Sequence, residues 1–176
     1  MSHISYSELK DWVFCAFYHK LTRVDKLSGF KGNEYTAFGS AMHSICEKKL
    51  LQEDVADDFF VHEFEKNLAS LDDDIDINQK LIYDMMGQGK NIIPEIKDAL
   101  DNYFEKDYEV LFVEMPLMEP IEGEEDYNFK GYIDAVVLTP HDKKIHIFDW
   151  KTCSWGWDAR KKNDKMVTYQ LTLYKH

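Results

Sequence analysis

Two runs rich in β-branched and aromatic residues, 129–138 (FKGYIDAVVL) and 144–150 (KIHIFDW), stand on either side of Thr139-Pro140-His141-Asp142. Their composition is that of strands. A proline that presets φ and an aspartate that bonds its own backbone favour a turn between them. The spacing therefore predicts a hairpin that returns the second strand beside the first. Counted outward from the turn, Asp134 and Asp149 lie at roughly matched distances, so their side chains converge at one end of the sheet. Lys151, two residues beyond Asp149, points to the same face under period-two alternation. Two carboxylates able to hold a hard divalent cation, with one lysine beside them, suit hydrolysis of a phosphodiester. The cation neutralises charge and activates water, while the ammonium orients the nucleophile and stabilises the developing oxyanion. An aspartate or lysine at a strand end is more often a solvated edge residue, and one Asp-x-Lys is common by chance. Further residues must decide.

The rest of the chain surrounds this hairpin with helical patterns. Ser5-x-x-Glu8 reads as a capping box ahead of Leu9, Trp12, Val13 and Phe17, predicting a helix over about 6–20. A loop with Gly29 and Gly32 leads to a helix over about 35–52 that carries Gly39 and, near its middle, His43. A third helical stretch runs from Phe59 to Leu71 and ends in an acidic triplet. Residues 78–106 are helical in period, with an interruption expected at Gly87-Gln88-Gly89 and Pro94, giving two helices. Tyr108–Met118 reads as a strand, Glu119–Asp126 as a polar loop, and 160–175 as a last helix. Helices, then three consecutive strands, then a helix describe an α/β (α+β) layered domain.

At 176 residues the chain fits a single domain, 1–176, with a sizeable core. No apolar run approaches the roughly 20 residues that span a bilayer. The opening Met-Ser-His-Ile-Ser has no basic region followed by an apolar one, so a cytoplasmic setting without a membrane partner is expected. Three widely spaced cysteines, Cys15, Cys46 and Cys153, suggest no disulfide framework. The net charge of −12 argues against a generic nucleic-acid binder. The charge is uneven, however. Acid concentrates in residues 47–126, whereas Lys143 to Lys165 is basic and contains the Asp149/Lys151 pair. Arg160-Lys161-Lys162 reads equally well as a solvated helix start.

Four short motifs occur in order: Gly39-Ser-Ala-Met-His43, Gly131-Tyr-Ile-Asp134, Asp149-Trp-Lys-Thr152 and Gln170-Leu-Thr-Leu-Tyr174. Together they resemble the G-x-x-x-H, G-x-[IV]-D, D-x-K-T and Q-x-x-x-Y motifs of the PD-(D/E)XK nucleases, in their RecB-like exonuclease branch. Ser5-Tyr-Ser-Glu-Leu with Phe14-Cys15 and Tyr18 resembles that branch's opening helix. The resemblance implies a restriction-endonuclease-like core, a mixed β-sheet flanked by helices behind a helical N-terminal half. It implies metal-dependent DNA exonuclease activity in recombination, repair or phage DNA processing. The competing expectation is an inactive or partner-dependent DNA-binding module, joined to a helicase or recombination protein.

Residue by residue, the resemblance makes Asp134 and Asp149 the Mg²⁺ or Mn²⁺ carboxylates, with the Trp150 backbone carbonyl completing the shell. It makes His43 an extra metal ligand, a nitrogen donor that favours Mn²⁺; a lone helical histidine is otherwise a packed or surface residue. Glu114 stands where the family often has a glutamate near the metals, and alternatively faces outward on an alternating strand. Lys151 takes the catalytic role, and Gln170 and Tyr174, one helical turn apart, line the substrate groove. Trp150, Trp155 and Trp157 are candidates for stacking on unpaired bases, although tryptophans near a sheet more often fill the core. Some RecB-like nucleases bind an iron–sulfur cluster through one early and three late cysteines. Cys15 matches the first, but no cysteine follows Tyr174, so no such cluster is expected and a chain truncated at its C-terminus is.

Overall fold

The computed structural model describes residues 2–27, 30–153, 156 and 158–175. In chain order they form β1 (Ser2–Ser5), α1 (Tyr6–Phe14), α2 (Ala16–His19) and a π-helical turn (Lys20–Val24). These lead to α3 (Glu34–Leu50), α4 (Phe59–Ala69) and α5 (Gln79–Tyr103). Strands β2 (Glu109–Ile121), β3 (Glu124–Thr139) and β4 (Lys144–Phe148) follow, then α6 (Ala159–Lys162) and α7 (Lys165–Lys175). None of the described helices is long and apolar enough to cross a membrane.

The expected hairpin is β3 and β4, antiparallel from Thr139 opposite Lys144 to Ala135 opposite Phe148. One step further sets Asp134 level with Asp149. The turn is held by Asp142, whose carboxylate accepts from the Thr139 hydroxyl at 2.5 Å and from the Lys144 N–H at 3.3 Å. On its other side β3 pairs antiparallel with β2. The edge of β3 that β4 uses at one end is taken at the other by β1, parallel, with Ser2 opposite Tyr127 and Ser5 opposite Lys130. Among the described residues this makes a mixed four-stranded sheet flanked by helices.

Two cores lie about the sheet. The larger joins Ala37, Ala41, Ile45 and Leu50 of α3 to Phe60 and Phe64 of α4 and to Ile82, Met85, Ile96 and Leu100 of α5, over Ala135 and Val137 of β3. The smaller seats Tyr174 of α7 on Ile133 and Val136, flanked by Met115 and Leu117. Val113 and Ala135, an opposed pair, join the larger core, whereas the next pairing, Met115 with Ile133, joins the smaller. The packing thus changes face across Glu114 and Asp134.

Several expected boundaries move. The break foreseen near Gly89 and Pro94 is absent: α5 is one 25-residue helix. Its buried positions form a single stripe through both halves, and Gly89 admits the Phe60 ring, which a Cβ would meet at 2.3 Å. The first helix is shorter, because Cys15 takes an extended conformation (φ −166°, ψ 115°) and splits α1 from α2. Ser5 caps α1 by accepting from the Glu8 N–H, while the Glu8 carboxylate turns to His19. The loop expected over 119–126 is mostly strand, because β2 and β3 run on to the Glu122-Gly123 turn. The last helix divides at Asn163-Asp164, and β1 had no expectation at all. Four polar-rich residues, SHIS, carry too weak a pattern to read as a strand without their neighbour.

Candidate active site

The site is assembled where α3, β2, β3 and the segment after β4 meet. Asp134, on β3, is 9 % exposed and accepts the Trp150 N–H at 2.7 Å. That bond pins the start of Asp149-Trp-Lys-Thr152 against β3. α3 begins at a reciprocal cap between Asn33 and Thr36, and its buried face fixes the helix rotation that aims His43 at the same point. His43 Nε2 lies 2.8 Å from the Trp150 carbonyl oxygen, and Nδ1 lies 3.5 Å from Asp134. Gly39, one turn earlier, permits this approach: a Cβ there would stand 3.3 Å from the Thr152 hydroxyl. The glycine and histidine of the first motif thus each touch the third.

Glu114 completes the group from β2. Its neighbours Val113 and Met115 pair with Ala135 and Ile133, which brackets Glu114 opposite Asp134. Its φ of 47° is a left-handed conformation rarely tolerated by a side-chain-bearing residue, of the kind that clusters at functional sites. One ligand atom each from His43, Glu114 and Asp134 lie within 4.8 Å of one another. Burial, then the Asp134 charge, pushes the Glu114 carboxyl above its usual range. Burial also raises Asp134, with the Asp149 charge adding to it and the Trp150 N–H, His43 and Lys151 opposing it. Partly desolvated carboxylates facing each other are costly to ionise alone.

This donor set fits a divalent cation. Two carboxylates, an imidazole and the Trp150 carbonyl are hard-to-borderline donors. His43 Nε2–H donates to the Trp150 oxygen at 2.8 Å, which leaves Nδ1, 3.5 Å from Asp134, as the ring nitrogen with a lone pair to offer.

Asp149 does not join that cluster. Its carboxylate accepts from Gln170 Nε2 at 2.7 Å and forms an ion pair with Lys151. An ammonium two residues away is its nearest source of compensation, and Gln170 on α7 holds the second oxygen. Gln170 Nε2 also stands 3.1 Å from the Tyr174 hydroxyl. The Tyr174 ring covers Gly131, where a Cβ would meet Cε1 at 2.6 Å, so the fourth motif packs on the second. Tyr6 was missed in the sequence and lies close enough to Asp149, Asp164 and Tyr174 that, after burial, their charges raise its hydroxyl. Its only prior signal was a place in the opening-helix pattern.

Trp150 is not available for stacking on bases. Its ring belongs to the larger core, edge-on to Phe148 at 4.8 Å, and its indole Nε1 is buried with no hydrogen-bond partner. Trp155 and Trp157 lie outside the described residues. The cysteines occupy three different settings: Cys15 is exposed, Cys153 half-buried, and Cys46 buried with its thiol pushed up to about 12, by burial first and the Asp134 charge second.

Two clefts open beside His43. One, of about 740 Å³, runs between α3, α5 and β4, with Asp149 and Lys151 on its rim and Phe104, Leu100 and Phe148 among its walls. The other, of about 490 Å³, is bounded by Ser40, Ser44, Glu47 and Glu114. The cluster is therefore reachable from either side of α3.

No curated protein matches the chain significantly. A family model, described as the PD-(D/E)XK nuclease superfamily, matches residues 3–176. That match takes in β2, β3 and β4 and all but the first residue of β1, and the fold agrees with the restriction-endonuclease-like core of such nucleases. With nearly its whole length matched, this chain belongs to the PD-(D/E)XK nuclease superfamily.

Proposed function

We propose that this chain is a Mg²⁺- or Mn²⁺-dependent deoxyribonuclease of the RecB-like branch, acting as an exonuclease in recombination, repair or phage DNA processing within the cytoplasm. Residues 1–176 are its nuclease domain. The observation that carries this reading is the meeting of His43, Glu114 and Asp134 within 4.8 Å beside Lys151. The branch assignment is supported by packing between motifs: Gly39 lies against Thr152, and Tyr174 against Gly131.

A divalent cation held by His43, Glu114, Asp134 and the Trp150 carbonyl would neutralise the phosphate and acidify a water. The protein supplies the rest. Lys151 offers its ammonium to the attacking water or to a non-bridging oxygen as charge develops. Asp149 anchors that lysine and would offer the cation a further carboxylate. Gln170 holds Asp149 in place, and Tyr174 fixes Gln170. A preformed arrangement of this kind needs little reorganisation during reaction.

Lys151→Ala tests this. Cleavage of linear DNA at saturating Mn²⁺ is expected to fall roughly 10²-fold, the scale of losing one preorganised donor. Mn²⁺ affinity, read by calorimetry, is expected to hold or rise, because an ammonium repels the cation. Equal rates in variant and wild type would refute the catalytic role. The net charge of −12 favours a second reading, a binding module that cleaves only with a helicase or recombination partner. On that reading the chain alone shows no cleavage to lose.

A further inference from the structure

The helical hairpin at the N-terminus pairs its polar side chains with one another: Glu8 with His19 at 2.9 Å, and Asp11 with Arg23 at 2.6 Å. Its rings face solvent, with Phe14 79 %, Phe17 66 % and Trp12 56 % exposed, and Tyr18 edge-on to Phe14 at 5.9 Å. Leaving several large rings in solvent on one short segment is the reverse of what folding alone selects, and such exposed apolar side chains mark a binding surface.

Charge indicates what binds there. Residues 1–32 carry five Lys or Arg against three Asp or Glu, and residues 129–176 carry nine against five. Residues 33–128 carry seven against 25, so the chain's whole negative excess lies between two positive ends. The basic segment around Lys151 thus has a second, N-terminal counterpart. The fold brings the two ends together: β1 pairs with β3, α1 touches α7, and Tyr6 at the start of α1 feels the charge of Asp149. From Tyr6 to Phe14 the helix rises about 12 Å. Three or four stacked nucleotides, at about 3.4 Å each, span that length.

We propose that Trp12, Phe14, Phe17 and Tyr18 form a stacking platform for the bases of an unpaired polynucleotide strand, which leads to the active site along α1. Lys10 and Lys26, exposed on the same segment, supply charge for its phosphates. Rings accept any base, whereas a duplex hides its base faces; the platform therefore selects strands that are single-stranded next to the scissile bond. The assignment rests on the nuclease reading above and names the substrate class of that site.

The test measures binding by the full chain in EDTA, with a short oligothymidylate and with a duplex of equal length as probes. The Phe14→Ala/Phe17→Ala double variant is expected to bind oligothymidylate about tenfold or more weakly, with duplex binding little changed. Phe14→Trp restores the affinity. Oligothymidylate is expected to quench tryptophan emission in the wild type and to quench it less in Trp12→Phe. Circular dichroism checks that the variants fold, which the exposure of both phenylalanines favours. Unchanged affinity overturns the proposal, as does an equal loss for both probes. A wild-type dimer that the double variant dissolves with oligothymidylate affinity unchanged also overturns it, because the face then belongs to a second copy. A wild type that binds through its rings yet never cleaves with Mn²⁺ retires the nuclease reading alone.

Discussion

At the scale of the residue, the site stores its cost in Asp134 and Glu114. Glu114 keeps φ at 47°, which costs on the order of 1 kcal/mol for a residue other than glycine. Asp134 is held nearly buried opposite it, and its carboxyl is raised, by burial first. For an acid with a raised folded-state pKa, stability is full below the unfolded value, near 4, and is lost as pH rises through the folded one. The metal-free protein therefore loses stability through Asp134 on going from about pH 4 to neutrality. Asp134→Asn keeps an oxygen for the Trp150 N–H and abolishes the titration. In EDTA the variant is expected to melt above the wild type near neutral pH, with the gap closing on acidification. Added Mn²⁺ is expected to reverse the order, because binding to the folded state stabilises only the protein that still has the ligand. Scanning calorimetry in both conditions is the check, and a variant that melts lower in EDTA would refute the account.

Between elements, two glycines admit close contacts that join the motifs. The tighter is Gly131 under Tyr174, which sets α7 against β3 and so places Gln170 on Asp149. Gly131→Ala is expected to cost about 1–3 kcal/mol by overpacking. Tyr174→Leu costs stability by itself, yet in the double variant it frees the space the new methyl needs. The two costs should then sum to at least about 1 kcal/mol more than the double variant loses, as for residues that touch directly. Urea denaturation measures all three; strict additivity would mean that the ring does not clash. Such packing shows how far the sequence could be read. Hairpin register and the approximate spans of α3 and α4 follow from period and turn residues, because those signals are local. Motif order locates His43, Asp134, Asp149, Lys151, Gln170 and Tyr174 without saying which of them touch. The undivided α5 depends on Phe60 filling the notch at Gly89, and β1 depends on an open edge of β3 some 125 positions away. Neither partner is visible from the segment itself. The pairing of Asp149 with Lys151 and Gln170, in place of the cluster, likewise follows from where α7 lands.

For the whole molecule, the puzzle is a nucleic-acid enzyme with a net charge of −12. Distance resolves it. At physiological salt, charges more than about 8 Å apart in solvent are largely screened, whereas a compact chain of 176 residues is about 40 Å across. A bound strand therefore responds to the groups beside it and little to the acidic stretch elsewhere. Beyond Lys151 the next cationic group in sequence is Arg160, Lys161 and Lys162 on α6, a helix capped by Asp158 and packed near α7. If these three meet phosphates, replacing all of them by alanine frees up to three phosphates. The slope of log Kd against log salt for oligothymidylate should then flatten by about 0.7 for each phosphate set free. Asp72→Asn/Asp73→Asn/Asp74→Asn shifts the net charge by the same amount in the opposite direction, at a site where Lys31 already binds Asp72 and Asp74. It is expected to leave the slope unchanged. Titrations over a range of salt compare the two variants directly. If net charge governed binding, the aspartate variant would tighten binding as much as the α6 variant weakens it. If the local field governs, only the α6 variant moves, and its slope counts the phosphates that α6 holds.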